Sequence, residues 1–225
     1  MDICTAGSLD KTFILDLYQS AFPQEERKPF SLIERKAVMG EMEILLITEG
    51  KKRIGFAIMA YGDRIVLMDY FAISQKWRGQ GYGSAALERI QGLYGDRQLF
   101  LEVEKPVLAK SPSDGEDIPG YGAAQERIQA SERQTAFGQA EASEPVEQSS
   151  ASGEPEPSEQ ENIRERRKAF YLRNGMLETG IAVELFGVRM ELLSTMPGLT
   201  FEQCEPLYRS LIGPIYHNVI KEIKE

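Results

Sequence analysis

The chain has 225 residues, of which 42% are hydrophobic, so it can bury one good-sized core, and its length suggests one domain or at most two small ones. No apolar run reaches the ~18 residues that a membrane span requires, and the first residues lack the apolar core of a signal peptide. These features predict a cytoplasmic protein with no membrane partner. Cys4, Cys204 and the single histidine, His217, show no metal-ligand spacing, so we expect reduced thiols and no metal site.

The net charge of −9 is concentrated in one segment. Residues 106–162 include twelve acidic and three basic residues, so they carry the whole excess and the remainder of the chain is neutral. A neutral folded part beside an acidic segment argues against nucleic acid as a partner. The segment is rich in Ser, Glu, Gln and Pro and poor in large apolar residues, which predicts a disordered insertion. We expect residues 1–105 and 163–225 to be two parts of one domain that this insertion interrupts.

The chain begins with two predicted helices. Residues 9–22 carry apolar side chains at the spacing of a helix with one buried face. The second helix is indicated by Ser31 and Glu34, which have capping-box spacing, and by Gly40 as a stop.

The spacing of the apolar residues then changes from that of helices to that of strands. Residues 43–48, 53–61 and 65–73 are short runs rich in β-branched or aromatic residues, separated by turn sequences. They predict an antiparallel meander of three strands.

A helix and another strand are predicted next. Helical spacing resumes after Ser84, and residues 98–104 alternate like a strand, which implies a right-handed parallel crossover. Beyond the insertion, residues 164–175 read as a helix and are followed by strands at 181–186 and 188–193. The fold class is therefore mixed α/β (α+β), with a mostly antiparallel central sheet flanked by helices.

A glycine-rich turn joins the third strand of the meander to the next helix. It reads Arg-Gly-Gln-Gly-Tyr-Gly, with glycines at positions 79, 81 and 83. At a helix N-terminus such glycines let several N–H groups converge on an anion, although they also suit an ordinary tight turn. The spacing fits neither the dinucleotide fingerprint nor the Walker P-loop.

Two motifs carry a resemblance to a known family. Arg78, Gly81 and Gly83 spell Arg-x-x-Gly-x-Gly, and residues 166–176 contain Ala-x-Tyr followed by a turn glycine and an apolar residue. With these motifs in this order, the sequence resembles the GNAT family of N-acetyltransferases over roughly residues 11–105 and 163–193. It departs from the family pattern in its long acidic insertion and in Met176, where Phe is more usual.

The resemblance implies acetyl-CoA as the acyl donor and a role for each matching position. The residues implied to hold the pyrophosphate are Arg78, Gly79, Gln80, Gly81, Tyr82, Gly83 and Ser84. Phe71, Ala72 and Ile73 match the strand whose backbone pairs with pantetheine. Tyr171 aligns with the tyrosine that protonates the coenzyme A thiolate. The alternative is a purely structural tyrosine packed in the core.

Acidic residues at the centre of the sheet are the candidate bases. Strand alternation places Asp69 on the same face as Leu67 and Phe71, and puts Glu102 and Glu104 together on the next strand. A carboxylate in an apolar strand is costly to bury, so it is expected to line a cavity or to meet a partner. A structural ion pair with a basic residue is the alternative.

The sequence leaves three functions open. The first is an acetyl-CoA-dependent N-acetyltransferase that acts on an amine of a small molecule or of a protein or peptide. The second is a catalytically inactive acyl-CoA-binding regulatory module, and the third and weakest is a nucleic-acid-binding protein. Residues 22–30 lie where the family resemblance places the acceptor-binding loop. This loop either attracts a cationic amine through its acidic residues or is simply a solvated loop. The tail beyond Ser194 is expected to pack on the sheet or on a second subunit in a homodimer.

Overall fold

The computed structural model describes residues 1–105 and 157–223. The predicted insertion lies outside these residues except for positions 157–162, which form the start of a helix. The helices are α1 (Lys11–Ala21), α2 (Phe30–Val38), α3 (Tyr82–Leu93), α4 (Pro157–Arg173), α5 (Phe201–Ile212) and α6 (Tyr216–Val219). The strands are β1 (Asp2–Thr5), β2 (Met42–Glu49), β3 (Lys52–Tyr61), β4 (Ile65–Ile73), β5 (Gln98–Glu104), β6 (Leu177–Leu185), β7 (Val188–Ser194) and β8 (Ile220–Ile223).

All the described strands join one sheet, in the order β1-β2-β3-β4-β5-β7-β6-β8. Neighbouring strands are antiparallel except β4 and β5, which are parallel because α3 crosses between them. β5 precedes residues 106–156 and β7 follows them, yet the two strands are hydrogen-bonded neighbours. The parts of the chain on either side of that segment therefore share one sheet.

The parallel pair at the centre of the sheet is very short. β4 and β5 pair only from Ile65 opposite Gln98 to Leu67 opposite Phe100. Beyond these residues β4 continues beside β3, while β5 continues beside β7. The two strands therefore diverge, and we call the gap beyond Leu67 and Phe100 the sheet opening.

Helices cover both faces of the sheet. α1, α2 and α5 contribute to the core on one face, which we call the α5 face, and α3 and α4 pack on the other, the α3 face. β3 runs through the middle and is buried continuously from Ile54 to Ala60. A strand that is covered on both faces reads as an apolar run, which is how this segment appears in the sequence.

The mixed α/β fold and its mostly antiparallel sheet are confirmed, including the meander, the parallel crossover and the helix that ends at Asn174 and Gly175. The capping box at Ser31 is wrong, because α2 begins at Phe30, directly after Pro29. Pro29 already sets the first turn, so Ser31 lies inside the helix. Within residues 1–105 and 157–223, no helix combines the length and apolarity needed to cross a membrane.

The C-terminal segment forms a helix and an edge strand. Thr200 and Gln203 make a capping box at the start of α5, which continues through Pro206 to Ile212. Gly213, at φ 73°, ends the helix, and the chain returns as β8 beside β6. The tail therefore packs on the sheet through α5 and extends it through β8.

Gly55 allows the close contact between β3 and β4, and it provides a test of the packing. A Cβ atom there would lie 2.5 Å from the carbonyl oxygen of Ala72 and 2.7 Å from Cδ1 of Ile73. We expect Gly55→Ala to lower the free energy of unfolding by roughly 1–3 kcal/mol, since backbone must shift to admit the methyl group. Urea denaturation measures the change.

Gly92 is the matched control for this substitution. It lies inside α3, and a Cβ atom there would meet nothing within 4 Å. Gly92→Ala should raise the free energy of unfolding by about 0.5–1 kcal/mol, because alanine favours the helix. Equal stabilities for wild type and Gly55→Ala would contradict the tight packing of β3 on β4.

Candidate functional site

Asp69 occupies a β-bulge on β4 at the sheet opening. Ile58 pairs with Tyr70 and Met59 pairs with Met68, which leaves Asp69 as the extra residue between them. A bulge resets the alternation of side chains, so Asp69 shares the face of Leu67 as predicted, whereas the prediction that Phe71 lies on that face too is wrong. Leu67 packs in the core of the α5 face, whereas Phe71 packs on the opposite side.

The carboxylate of Asp69 is buried against a lysine. Its Oδ1 forms an ion pair with Nζ of Lys28, and the side chains of Asp69 and Lys28 are 4% and 11% exposed. The other oxygen, Oδ2, is buried with no hydrogen-bond partner among the described residues. Nζ of Lys28 also lies 5.2 Å from the centre of the Tyr70 ring, so a carboxylate and an aromatic face both contact this cation.

Two tyrosines hold the backbone of the loop that carries Lys28. The hydroxyl of Tyr18 donates to the carbonyl of Lys28 (3.0 Å), and the N–H of Lys28 donates to the hydroxyl of Tyr70 (3.0 Å). That hydroxyl in turn donates to the carbonyl of Glu26 (2.9 Å). Burial raises the pKa of Tyr18 to about 12 and that of Tyr70 well above its ordinary value, so both remain proton donors.

Glu102 reaches the same place from β5. Its Oε1 is buried and has no hydrogen-bond partner among the described residues. Burial raises the pKa of Glu102, the nearby Tyr208 hydroxyl and the Lys28 charge lower it, and the Asp69 carboxylate raises it further. Asp69 and Glu102 are thus brought together, whereas Glu104 pairs with Arg164 instead.

Tyr208 comes to this group from α5. Burial and the Glu102 charge raise its pKa well above the ordinary value for tyrosine, so its hydroxyl is protonated. The Tyr208 hydroxyl lowers the pKa of Glu102. Even so, neither this hydroxyl nor Oε1 of Glu102 has a hydrogen bond of normal geometry among the described residues. We call Lys28, Asp69, Glu102 and Tyr208 the acid cluster.

The glycine loop presents open backbone at the other end of β4. Gly79 and Gly81 have φ of 71° and 83°, and a Cβ atom at either would meet nothing within 4 Å. α3 begins at Tyr82, so its first N–H groups have no carbonyl partner within the helix. Open N–H groups at the positive end of a helix dipole suit a phosphate.

Gly83 has a different role from the other two glycines. Its backbone is not in the left-handed region, and a Cβ atom there would lie 3.4 Å from Cζ of Phe170. Gly83 therefore lets α4 pack closely against the start of α3.

Two polar side chains of the loop bind its own backbone. Nε of Arg78 donates to the carbonyl of Ile73 (2.7 Å), and Nε2 of Gln80 donates to the carbonyl of Lys76 (2.8 Å). These bonds fix the path of the loop away from the end of β4. Ser84 follows in the first turn of α3, beside Tyr82 and Gly83.

The end of β4 has one edge that no described strand covers. Phe71, Ala72 and Ile73 pair with β3 on one side, and β5 has already diverged on the other. Backbone groups on such an edge can pair with an extended ligand. The carbonyl of Ile73 is the exception, because Arg78 already binds it.

Tyr171 lies on α4, at the α3 face of the sheet. Its ring contacts that of Phe170, with 5.2 Å between the ring centres, and burial raises its pKa to about 12. Its hydroxyl makes no hydrogen bond to another described residue. The acid cluster lies on the opposite face, so the sheet opening is the place where groups from both faces can reach one ligand.

Sequence reasoning did not identify Lys28, Tyr70 or Tyr208 as members of the site. Lys28 sits in a loop of mixed charge, and Tyr208 occupies an apolar position of an amphipathic helix. A tyrosine at an apolar helix position carries a hydroxyl that needs a polar neighbour. This requirement is the sequence signal that could have identified Tyr208. Glu25 lies in the same loop as Lys28, and the structure does not describe its side chain.

Three solved structures are similar to this fold. An acetyltransferase of the GNAT family from Bacteroides thetaiotaomicron aligns with 96% of each chain at 17% identity and a TM-score of 0.55. A chimera of the spermidine N-acetyltransferase SpeG from Vibrio cholerae and hSSAT aligns with 87% of this chain and 94% of its own, at 12% identity and a TM-score of 0.51. An aminoglycoside 6′-N-acetyltransferase complexed with coenzyme A aligns with 89% of this chain and 100% of its own, at 14% identity and a TM-score of 0.50.

An opened sheet with a phosphate-type loop and buried acids is an arrangement that suits group transfer from a phosphate-bearing donor. The model of the acetyltransferase (GNAT) family matches residues 11–110. This part of the chain is therefore similar to the GNAT acetyltransferases, and the match supports an N-acetyltransferase. A comparison with curated proteins gave no significant match.

The raised pKa of Glu102 predicts how its replacement changes stability with pH. Because the folded state holds the Glu102 proton more tightly than the unfolded state, ionisation costs stability as pH rises from the ordinary pKa of glutamate through the raised one. Glu102→Gln removes this loss. The difference in melting temperature, Glu102→Gln minus wild type, should therefore become more positive between pH 4.5 and pH 8.

Glu41→Gln is the control with the opposite sign. A hydrogen bond from Lys36 lowers the pKa of Glu41, so its charged form contributes stability that is lost as pH falls. This variant should be less stable than wild type at pH 8, with the difference shrinking at low pH. A Glu102→Gln curve that runs parallel to wild type at every pH would show that Glu102 titrates normally.

Proposed function

We propose that this enzyme transfers the acetyl group of acetyl-CoA to the amine of a small molecule or of a protein or peptide. The observation that supports this most directly is the divergence of β4 from β5 immediately after Leu67 and Phe100. It leaves one edge of β4 uncovered between the acid cluster and the open loop backbone. The neighbouring structures described as spermidine and aminoglycoside N-acetyltransferases share the fold and act on amines.

The described residues fit the donor in two places. The open backbone at Gly79 and Gly81, with the first turn of α3, would hold the pyrophosphate. The uncovered edge of β4 at Phe71 and Ala72 would pair with the extended pantetheine arm. Bound there, the donor supplies an activated acetyl group as a thioester.

The acid cluster supplies the base in this proposal. An acceptor amine arrives as an ammonium ion and must lose a proton before its nitrogen can attack. Glu102 is the better proton acceptor, since burial moves its pKa toward neutral pH, and Asp69 holds the cation beside it. Tyr171 approaches from the other face with its proton in place and is the proposed donor to the departing thiolate.

A catalytically inactive acyl-CoA-binding module remains the alternative. It would keep the loop and the strand edge but would not need unpaired buried oxygens on Asp69 and Glu102. Cytoplasmic location and homodimer formation stay predictions from the sequence.

The loop assignment is tested by coenzyme A binding. Coenzyme A should raise the melting temperature of the wild type by mass action, and Gly81→Glu should abolish the rise, because a carboxylate then faces the pyrophosphate. Gly83→Glu should act likewise, since it also pushes against Phe170. Gly92→Glu adds the same charge to the same helix, at a position where a Cβ atom meets nothing within 4 Å, and should keep the full shift. Equal shifts in all variants would place the cofactor elsewhere.

The acid role of Tyr171 is tested by removing only its hydroxyl. With Tyr171→Phe, kcat should fall by about 10²–10⁴-fold, the usual contribution of general-acid catalysis, while the coenzyme A Kd from calorimetry changes by no more than a few-fold. Tyr94→Phe is the control, because Tyr94 lies in the same core but bonds to Tyr61 and Glu43. Full turnover by Tyr171→Phe would remove this residue from the mechanism, and loss of turnover together with binding would indicate a packing role.

A further inference from the structure

The Lys28 side chain lies where an amine substrate is needed. Its ammonium group contacts the carboxylate of Asp69, lies over the Tyr70 ring and is within electrostatic reach of Glu102. A buried carboxylate beside an aromatic face is a common way to bind an alkylammonium ion. The described structure therefore holds a lysine ammonium group between a buried carboxylate and an aromatic face.

Two buried carboxylate oxygens of the acid cluster are not hydrogen-bonded to Lys28. Oδ2 of Asp69 and Oε1 of Glu102 are buried acceptors with no hydrogen-bond partner among the described residues. An ammonium ion has three N–H donors and can satisfy several acceptors at once. A free amine could choose its position among these acceptors, whereas the backbone of Lys28 is held by two tyrosine hydroxyls.

The backbone of Lys28 need not move for its side chain to leave. The hydroxyls of Tyr18 and Tyr70 hold the backbone carbonyl and N–H of Lys28. The four methylene groups of the side chain can rotate outward while the loop stays in place. Release of the cation is therefore a side-chain event.

We propose that Lys28 is an intramolecular stand-in for the acceptor, which holds the acceptor subsite at Asp69 and Glu102 and must be displaced by a primary alkylammonium substrate. This inference rests on the proposed acetyl transfer and adds the class of acceptor. In the reaction, the ammonium gives one proton to a carboxylate and its nitrogen forms a C–N bond to the thioester carbon. The nitrogen then loses a second proton, the C–S bond breaks, and the sulfur leaves as a thiolate that takes up a proton, so that one proton in all is released.

Lys28→Ala should open the subsite to n-butylamine, which reproduces the lost side chain. At pH 8 this amine is almost entirely n-butylammonium. Without any acyl donor, n-butylammonium should raise the melting temperature of Lys28→Ala in a saturable way, and n-butanol of the same shape should not. With acetyl-CoA, the variant should form N-butylacetamide with a KM at least ~10-fold below that of wild type, because an intramolecular competitor has been removed.

Lys36→Ala is the matched control. Lys36 has the same 11% exposure and pairs with Glu41, but it lies on α2, outside the acid cluster. Its variant should keep the wild-type KM for n-butylamine. Lys28→Ser provides a second opening of the subsite should Lys28→Ala fold poorly.

The outcomes separate this inference from the proposed function. Stabilisation by n-butylammonium without acetylation would show that Lys28 fills a structural cation site, and an unchanged KM in both Lys28 variants would show that Lys28 does not compete with the acceptor. Either result overturns the inference while coenzyme A binding and transfer to other amines stand. Absence of a coenzyme A shift in wild type, with no transfer by any variant, would instead overturn the proposed acetyl transfer.

Discussion

The site depends on one limit in the sheet, which is that β4 and β5 are paired over only three residue positions. A parallel pair that continued would cover the edge of β4 and separate the α3 face from the α5 face along its whole length. Because each strand instead follows its antiparallel neighbour, β4 and β5 are joined up to Leu67 and Phe100 and separate beyond them. The uncovered backbone of β4 and the carboxylates of β4 and β5 all lie beyond that point.

The bulge at Asp69 has a second effect at this opening. It turns Asp69 out of the pairing between β3 and β4 and lets Tyr70 enter the core of the α5 face. Tyr70 then contacts the loop between α1 and α2 through two hydrogen bonds. A single inserted residue thus connects the sheet to the loop that supplies Lys28.

The fold was largely predictable from the sequence because its elements have clear periods. The apolar run of β3, the glycine loop and the stop at Asn174 and Gly175 all left local signals. β1 was missed, since four partly polar residues at a sheet edge have little pattern. The face of Phe71 relative to Asp69 was predicted wrongly because a bulge depends on pairing with β3, which alternation along one strand does not record.

The candidate site was predictable only in part. Its loop and its acidic residues follow from local motifs and from the cost of burying charge, so Asp69, Glu102 and the glycines were found. Lys28 and Tyr208 arrive from segments that are 41 and 139 residues away from Asp69 in sequence, and their meeting depends on how α5 and the α1–α2 loop pack. A single sequence does not show which residues meet in such non-local contacts, although the Tyr208 hydroxyl at an apolar helix position indicates that some polar neighbour is needed.

The energetics of the acid cluster favour function over stability as its reason for existing. A buried ion pair such as Lys28 with Asp69 is often no more stabilising than apolar residues of the same volume, because desolvation offsets the attraction. Each buried acceptor left without a hydrogen bond costs a further ~1–3 kcal/mol, and both Asp69 and Glu102 carry one. A core selected only for stability would replace these groups. In the proposed acetyl transfer, a charged amine has to be desolvated and deprotonated at the sheet opening. The burial that destabilises the two carboxylates would then strengthen their attraction for that cation.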